Sequence, residues 1–289
     1  MPVAPAQLAL AAFELTLLFG GGGLLISILF NGHKRHRWLG THAMPYWAIS
    51  PADFGILAVV VFFSGFLTQA VIAQFFGKAI AASANKTGLE IFAYGAAMHG
   101  GFLAAVLLFP LLRRRLQINL GPEPPALRRA VLVSWSAVLR YAAGTVLVAL
   151  PFIALLSLGW TALLRACGLP DEPQDLIAVF SQTKSPAVIA GMLLVACVLA
   201  PLSEELLFRA GLYRVIRQKL GRTPALLISA LLFGVLHQNW AGFLPLAALG
   251  MLLALVYEAT GSIRVPIVAH ALFNLNTILI VLSGLPGAS

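Results

Sequence analysis

The sequence predicts an all-α protein, a polytopic bundle of about eight transmembrane helices. Of its 289 residues, 60% are hydrophobic and only 10% are charged, and the mean hydropathy is +0.92. Soluble domains are about 45–50% apolar and about 25% charged, so this chain has too few charged side chains to cover a soluble fold. The same composition excludes a disordered chain, which would be polar. Two cysteines exclude a disulfide scaffold.

Eight segments approach the length of about 20 apolar residues that crosses a bilayer. They lie near 8–30, 54–76, 91–112, 131–159, 186–208, 225–243, 244–259 and 265–284. The seventh is short and follows the sixth closely, so the boundary between these two is the least defined. None of the segments alternates as a barrel strand would, which predicts helices.

Basic residues predict the orientation of the bundle. With eight spans, thirteen of them fall on one side of the membrane: Lys34, Arg35, Arg37, Arg113, Arg114, Arg115, Arg128, Arg129, Arg214, Arg217, Lys219, Arg222 and Arg264. The other side holds Lys78, Lys86, Arg165 and Lys184 beside Asp171, Glu172 and Asp175. The positive-inside rule then places both termini outside the cytoplasm. The net charge of +9 is thereby assigned to loops that contact anionic lipids, and no nucleic-acid partner is expected.

Ionisable residues at bilayer depth are costly, so each one is a functional candidate. Glu204, Glu205 and Arg209 form the first group, in APLSEELLFRAGLYR. Glu205 and Arg209 are i,i+4 neighbours on a helix and are predicted to pair. Glu204 is turned about 100° away and is free to act as a general base. The alternative is an ordinary helix end whose charges reach the cytoplasmic surface.

Two further groups lie downstream. Phe233 and His237 share a helix face in LLFGVLHQNW, with His237 about twelve residues into the sixth span. His270 and Asn274 share a face in VPIVAHALFNLNT and suit oxyanion stabilisation. Taken singly, packing and interhelical hydrogen bonding explain these side chains equally well. Together, a glutamate, two histidines and an asparagine on neighbouring spans supply a complete set for the attack of water on an amide.

The strings EELLFR, FGVLH and HALFN, in this order and spacing, resemble the three motifs of the CPBP intramembrane proteases. That family includes the type II CAAX prenyl endopeptidases and the bacterial bacteriocin-processing and self-immunity proteins. The resemblance covers about 185–280 and is of the bacterial type. It implies a catalytic core at 185–289, whereas 1–184 adds helices of unassigned role to the same membrane domain.

The resemblance also implies a role for each motif residue. Glu204 would activate water, His237 would polarise it, and His270 and Asn274 would stabilise the oxyanion. Glu205, Arg209 and Phe233 would support them. No cofactor is expected, although Glu204, His237 and His270 form a candidate zinc set. From the predicted depths, with Glu204 near the basic end of the fifth span, we expect a water-filled cavity that opens to the cytoplasm.

The predicted function is therefore an intramembrane endopeptidase, of the glutamic type, that acts on a membrane-associated peptide or protein, in the inner membrane of a bacterium. Two alternatives remain open from the sequence. One is a non-catalytic scaffold or bacteriocin-immunity protein of the same fold, and the other is a proton-coupled transporter with Glu and His as relay groups.

Overall fold

The computed structural model describes residues 5–40, 49–115, 133–172, 179–180 and 183–283, and for 112–115 the backbone only. Within these residues every regular element is helical. The helices are α1 Pro5–Phe30, α2 Gly32–Leu39, α3 Pro51–Ala81, α4 Lys86–Arg115, α5 Trp135–Ala166, α6 Pro186–Leu220, α7 Arg222–Leu236, α8 Trp240–Thr260 and α9 Arg264–Ser283. The prediction of a polytopic helical bundle is confirmed, and the chain is an integral membrane protein.

All eight predicted spans are helices, but two boundaries differ from the prediction. Of the helices that correspond to the eight predicted spans, seven are long and apolar enough to cross a membrane. The exception is α7, with 15 residues. The sixth span is thus the short one, not the seventh, because the helix is interrupted at His237–Asn239 rather than near position 243. The fifth span, α6, continues to Leu220, since the basic residues of its last turns extend the helix beyond the apolar run.

Helix boundaries follow local chemistry. The Ser50 hydroxyl accepts a hydrogen bond from the Asp53 N–H at 3.0 Å, and Pro51 occupies the first turn of α3. The Asn239 side chain caps α8 in the same way. Gly221 and Gly261, with φ of +89° and +65°, make the tight turns that end α6 and α8, a conformation that favours glycine.

Close helix packing depends on small residues at a few positions. A Cβ on Gly101 would lie 2.6 Å from the Ser64 carbonyl oxygen, so glycine permits the contact between α4 and α3. In the Gly20–Gly23 run, only Gly21 serves this purpose, against the Leu147 carbonyl of α5. The central helix α5 shares a hydrophobic cluster with α8 and α9, so helices from both halves of the chain pack together.

Contacts between helix ends define two faces of the bundle. At one face, Arg37 contacts Tyr141 at 3.0 Å, the Arg264 guanidinium lies 5.2 Å from the Trp135 ring, and Arg217 pairs with Glu258. We call this the basic face, because the fully described members of the thirteen basic residues lie at these helix ends. Arg128 and Arg129 are outside the described residues, as are the side chains of Arg113, Arg114 and Arg115.

The second face, called here the opposite face, carries the other helix ends. The Trp160 indole N–H donates to the Trp240 carbonyl at 2.7 Å, and the Asn239 side chain donates to the Glu172 carbonyl at 3.1 Å. The start of α1 and the end of α9 meet there, through Gln7 and Ser283. Asp175 lies outside the described residues. The short helix α7 therefore runs from the basic face toward the opposite face, but with 15 residues it ends before its longer neighbours do.

Candidate active site

The centre of α6 departs from regular α-helix on both sides of the glutamate pair. Two π-helical segments, Val195–Leu199 and Phe208–Tyr213, flank the α-helical Ala200–Leu207. Such segments occur frequently at functional sites. Pro201 has no N–H, so the carbonyl of Ala196, its partner in π-helical register, is left available. The Asn274 side-chain N–H₂ donates to that carbonyl at 2.8 Å, and this fixes Asn274 against α6.

Glu205 is a fully buried carboxylate that joins two other groups of the motifs. Its Oε1 accepts a hydrogen bond from Arg209 Nη1 at 2.6 Å, so the ion pair expected from the i,i+4 spacing is present. The same oxygen lies 2.9 Å from Nδ1 of His270 on α9. Because a carboxylate only accepts, the proton on this ring is assigned to Nδ1.

Arg209 is buried as deeply as its partner. Its Nη2 donates to the Gly250 carbonyl of α8 at 3.0 Å, and its guanidinium lies 4.5 Å from the centre of the Phe233 ring. A Cβ on Gly250 would approach Nη2 to 3.2 Å and Phe233 to 3.3 Å, so glycine at this position makes room for the arginine. Phe233, from the second motif, thus supports the first motif by a cation–π contact.

Glu204 lies beside this buried pair with one oxygen unbonded. Its side chain is 18% exposed, and its Oε2 is buried without a hydrogen-bond partner among the described residues. The Nε2 atom of His270 lies 4.0 Å from that oxygen, too far for a direct hydrogen bond. A separation of this size is spanned by a bridging water in many active sites, although Glu204 Oε2 itself is buried in this structure. The two adjacent glutamates therefore have different surroundings. Glu205 is fully buried and contacts Arg209 and His270 through Oε1, while its Oε2 has no partner among the described residues. Glu204 is partly exposed and lines the cavity.

The position of His237 differs from the prediction. It does not lie twelve residues into a long span; it follows Leu236 as the residue that ends α7. Its Nδ1 lies 2.7 Å from the Phe233 carbonyl oxygen, and the two rings are 4.8 Å apart. Since a carbonyl only accepts, Nδ1 carries the proton and Nε2 is left available to a water or a substrate.

His99 on α4 also belongs to this site, although it lies outside the three sequence motifs. It is buried, and its Nδ1 lies 2.8 Å from the Ser203 hydroxyl, one residue before Glu204. The Ser203 hydroxyl itself donates to the Ala200 carbonyl at 3.2 Å. The only sequence signal was its depth in an apolar span, because 104 residues separate it from Ser203.

These groups line one cavity of about 660 Å³, a volume typical of sites for small ligands, which run about 300–1,000 Å³. Its polar lining includes Glu204, His99, His237, His270 and Asn274. The cavity extends from Glu204 along α5, α6, α8 and α9 toward the opposite face, as far as Arg165 and Asp171. The cavity therefore lies on the side of Glu204 away from the basic face, whereas the sequence led us to expect it toward that face. Helix α6 is longer than predicted and places Glu204 near its middle.

The geometry of the site bears directly on the candidate zinc set. Within the described part of the chain, no group of three or more His, Cys, Asp or Glu side chains is placed so that it could hold a metal ion. Glu204, His237 and His270, the candidate zinc set, share the cavity but are not gathered as ligands. Nδ1 of His270 contacts Glu205 and Nδ1 of His237 contacts the Phe233 carbonyl, so Nε2 is the ring nitrogen left available to a ligand in both.

A carboxylate, three histidines and an asparagine around a cavity at bilayer depth define an acid–base site within a membrane bundle. Residues 186–276 match the model of the family described as type II CAAX prenyl endopeptidase Rce1-like. This match contains all three motifs and confirms the resemblance to this group of membrane proteases. No solved structure matches the chain.

Similar proteins are bacterial. The chain is 30% identical over 125 residues to a protein named "Putative membrane peptidase YdiL" of Bacillus subtilis (strain 168), an alignment that covers 43% of this chain and 50% of that protein. It is 32% identical over 123 residues to an uncharacterized 24.3 kDa protein of Escherichia coli. That alignment covers 41% of this chain and 56% of the relative. The chain thus spans about half the length of the curated relatives it matches.

Proposed function

We propose that this chain is an intramembrane endopeptidase that hydrolyses a peptide bond of a membrane-associated peptide or protein, in the inner membrane of a bacterium. The observation that carries the proposal is the series of contacts from Glu205 through His270 to Glu204. A buried carboxylate holds one imidazole nitrogen, and the other nitrogen lies 4.0 Å from a carboxylate oxygen that has no hydrogen-bond partner among the described residues. The family match at 186–276 supports the same class of reaction.

The proposed reaction begins with a water molecule between Glu204 and His270. Glu204 takes one proton from the water, and the water oxygen forms a bond to the carbonyl carbon of the substrate. When the C–N bond breaks, Glu204 returns the proton to the leaving amine. His237, with Nε2 available, would orient the water from the other side of the cavity.

The negative charge on the carbonyl oxygen of the intermediate needs hydrogen-bond donors. Asn274 has two N–H bonds and uses one on the Ala196 carbonyl, which leaves the second for the oxyanion. His270 becomes a second donor when Nε2 is protonated, and the Glu205 carboxylate on its other nitrogen stabilises the positive charge of that ring. Arg209 in turn balances the charge of Glu205, so it supports the site without contacting substrate.

The direct experiment uses the purified full chain in liposomes with a panel of membrane peptides. We expect cleavage by the wild type and by Glu90→Gln, whose carboxylate lies at the membrane surface 4.0 Å from Lys86, and no cleavage by Glu204→Gln. Cleavage that survives Glu204→Gln would reject Glu204 as the base. Loss of activity with a chelator and recovery with zinc would replace the metal-free mechanism, which also stays a proposal.

The same preparation separates the alternatives. Specific binding of peptides without cleavage by any variant would indicate a scaffold or immunity protein. A proton flux across the liposome membrane without cleavage would indicate a transporter. The proposal further assigns the basic face to the cytoplasm, where its arginines and lysines contact anionic lipids, and places both termini outside.

A further inference from the structure

The cavity occupies only the half of the bundle next to the opposite face. On α6 its lining runs from Glu204 toward Met192, and on α9 from His270 toward Val281. On both helices this direction leads away from the basic face. No residue from the described part of the basic face is among those that line the cavity.

Buried side chains close the way from the site to the basic face. Glu205 and Arg209 have 0% and 1% of their surface exposed. Beyond them, toward the basic face, Tyr213 is fully buried and Glu258 is 1% exposed, held by Arg217. The layer behind the glutamate pair is therefore packed protein, which provides no route for a peptide.

The other end of the cavity reaches water. Arg165 and Asp171 line the cavity and form an ion pair with each other, and the Arg165 side chain is 71% exposed. A charged, exposed side chain at the end of α5 marks a rim in contact with solvent. Cys167, two residues further along, is exposed as well.

The break between α7 and α8 lies beside the same cavity, which His237 and Asn239 line. The 15 residues of α7 extend only about 22 Å, less than the hydrocarbon thickness of about 30 Å. The turn at His237–Asn239 consequently lies within the membrane; its neighbour Trp240 is level with Trp160, six residues before the end of α5. Irregular backbone at such depth is tolerated only where it is enclosed by protein or lines a water-filled cavity.

Combined with the basic residues that the structure describes at the other face, this geometry gives a direction. Basic residues collect in cytoplasmic loops, so the basic face is the cytoplasmic one. We propose that the active-site cavity opens to the extracytoplasmic side of the membrane and receives its substrate from there. This inference rests on the proposed peptidase function and adds the substrate class: a membrane-associated peptide whose scissile bond lies on the extracytoplasmic side.

The test is the accessibility of single cysteines to a charged, membrane-impermeant methanethiosulfonate. Three full-length proteins that carry Cys197→Ala are expressed in bacterial spheroplasts. The first protein keeps Cys167 at the rim. The second carries Cys167→Ser and Ser157→Cys, which places its cysteine deeper in the cavity. The third carries Cys167→Ser and Gly32→Cys at the basic face, where a Cβ would meet no other atom within 4 Å. Cysteines that remain unmodified are then counted after denaturation with a maleimide that shifts the protein mass.

We expect Cys167 and the cysteine at position 157 to react in intact spheroplasts, and the one at position 32 only after permeabilisation. Reaction at position 32 in intact cells, with protection of Cys167, would overturn the proposal by inverting the orientation. Reaction of Cys167 without reaction at position 157, repeated with Thr161→Cys, would overturn it by showing that the cavity is closed to water. Labelling does not depend on turnover, so these results stand apart from any failure of the peptidase assay.

Discussion

The two adjacent glutamates are expected to respond differently to the same substitution. Glu205→Gln removes the charge that balances Arg209, to which it is bonded at 2.6 Å, and also the carboxylate that holds His270 at 2.9 Å. Removal of one partner of a buried pair costs about 3–5 kcal/mol of stability, because the remaining charge stays buried. At about 2–4 °C per kcal/mol for a chain of this size, the melting temperature would fall by roughly 10 °C.

Activity should fall in Glu205→Gln as well. A carboxylate that orients a catalytic histidine and stabilises its charged form contributes up to about 10⁴-fold to turnover. Glu204→Gln, in contrast, should abolish cleavage and leave the melting temperature within about 2 °C, because Glu204 Oε2 has no hydrogen bond to lose among the described residues. Glu90→Gln is the matched control at a surface pair, and it should change neither quantity.

The assay measures both properties on each variant: thermal unfolding of the detergent-solubilised protein and turnover of a cleavable membrane peptide in liposomes. The reasoning is refuted if Glu205→Gln melts with the wild type and keeps most of its turnover. It is equally refuted if Glu204→Gln destabilises the protein as much as Glu205→Gln, since the two carboxylates would then have similar surroundings.

Three other substitutions test neighbouring contacts. Asn274→Ala removes the proposed oxyanion donor and should lower kcat by about 10²-fold to 10³-fold with little change in KM; an equal change in KM instead would assign Asn274 to substrate binding. His99→Phe keeps a ring beside Ser203 but removes the hydrogen bond between the two side chains. We expect turnover to fall about tenfold with unchanged peptide binding. Turnover at the wild-type rate would show that His99 serves packing only. Gly250→Ala places a methyl group against the buried Arg209, at a cost of about 1–3 kcal/mol, and gains about 1 kcal/mol in helix propensity. We therefore expect a net loss of about 1 kcal/mol in thermal unfolding; an unchanged melting temperature would contradict this.

Local spacing in the sequence predicts the contacts within one helix, and it does so well at this site. The Glu205–Arg209 pair follows from helical periodicity alone. The contact of His270 with Glu205 does not, because 65 residues separate them and only the packing of α9 on α6 brings them together. The three-motif resemblance predicted their common site, but it did not predict which nitrogen of His270 is held.

Depth was predicted less well, for a physical reason. Hydropathy marks where apolar residues stop, whereas a helix continues into the interface as long as its backbone is hydrogen-bonded, as α6 does to Leu220. The break at His237–Asn239 leaves no clear gap in hydropathy, since apolar residues resume at Trp240. Because of these two features, Glu204 lies farther from the basic face than predicted, and the cavity extends toward the opposite face.

The pairing of Glu205 with Arg209 within one helix also has a consequence for the biogenesis of the protein. Isolated charges at the centre of an inserting helix each cost about 2.5–3.5 kcal/mol at the translocon. The Gly250 carbonyl and His270, which complete the surroundings of this pair, are synthesised 41 residues after Arg209 and 65 residues after Glu205, respectively. Because the two charges are one helical turn apart, they neutralise each other while α6 enters the lipid, before α8 and α9 have left the ribosome.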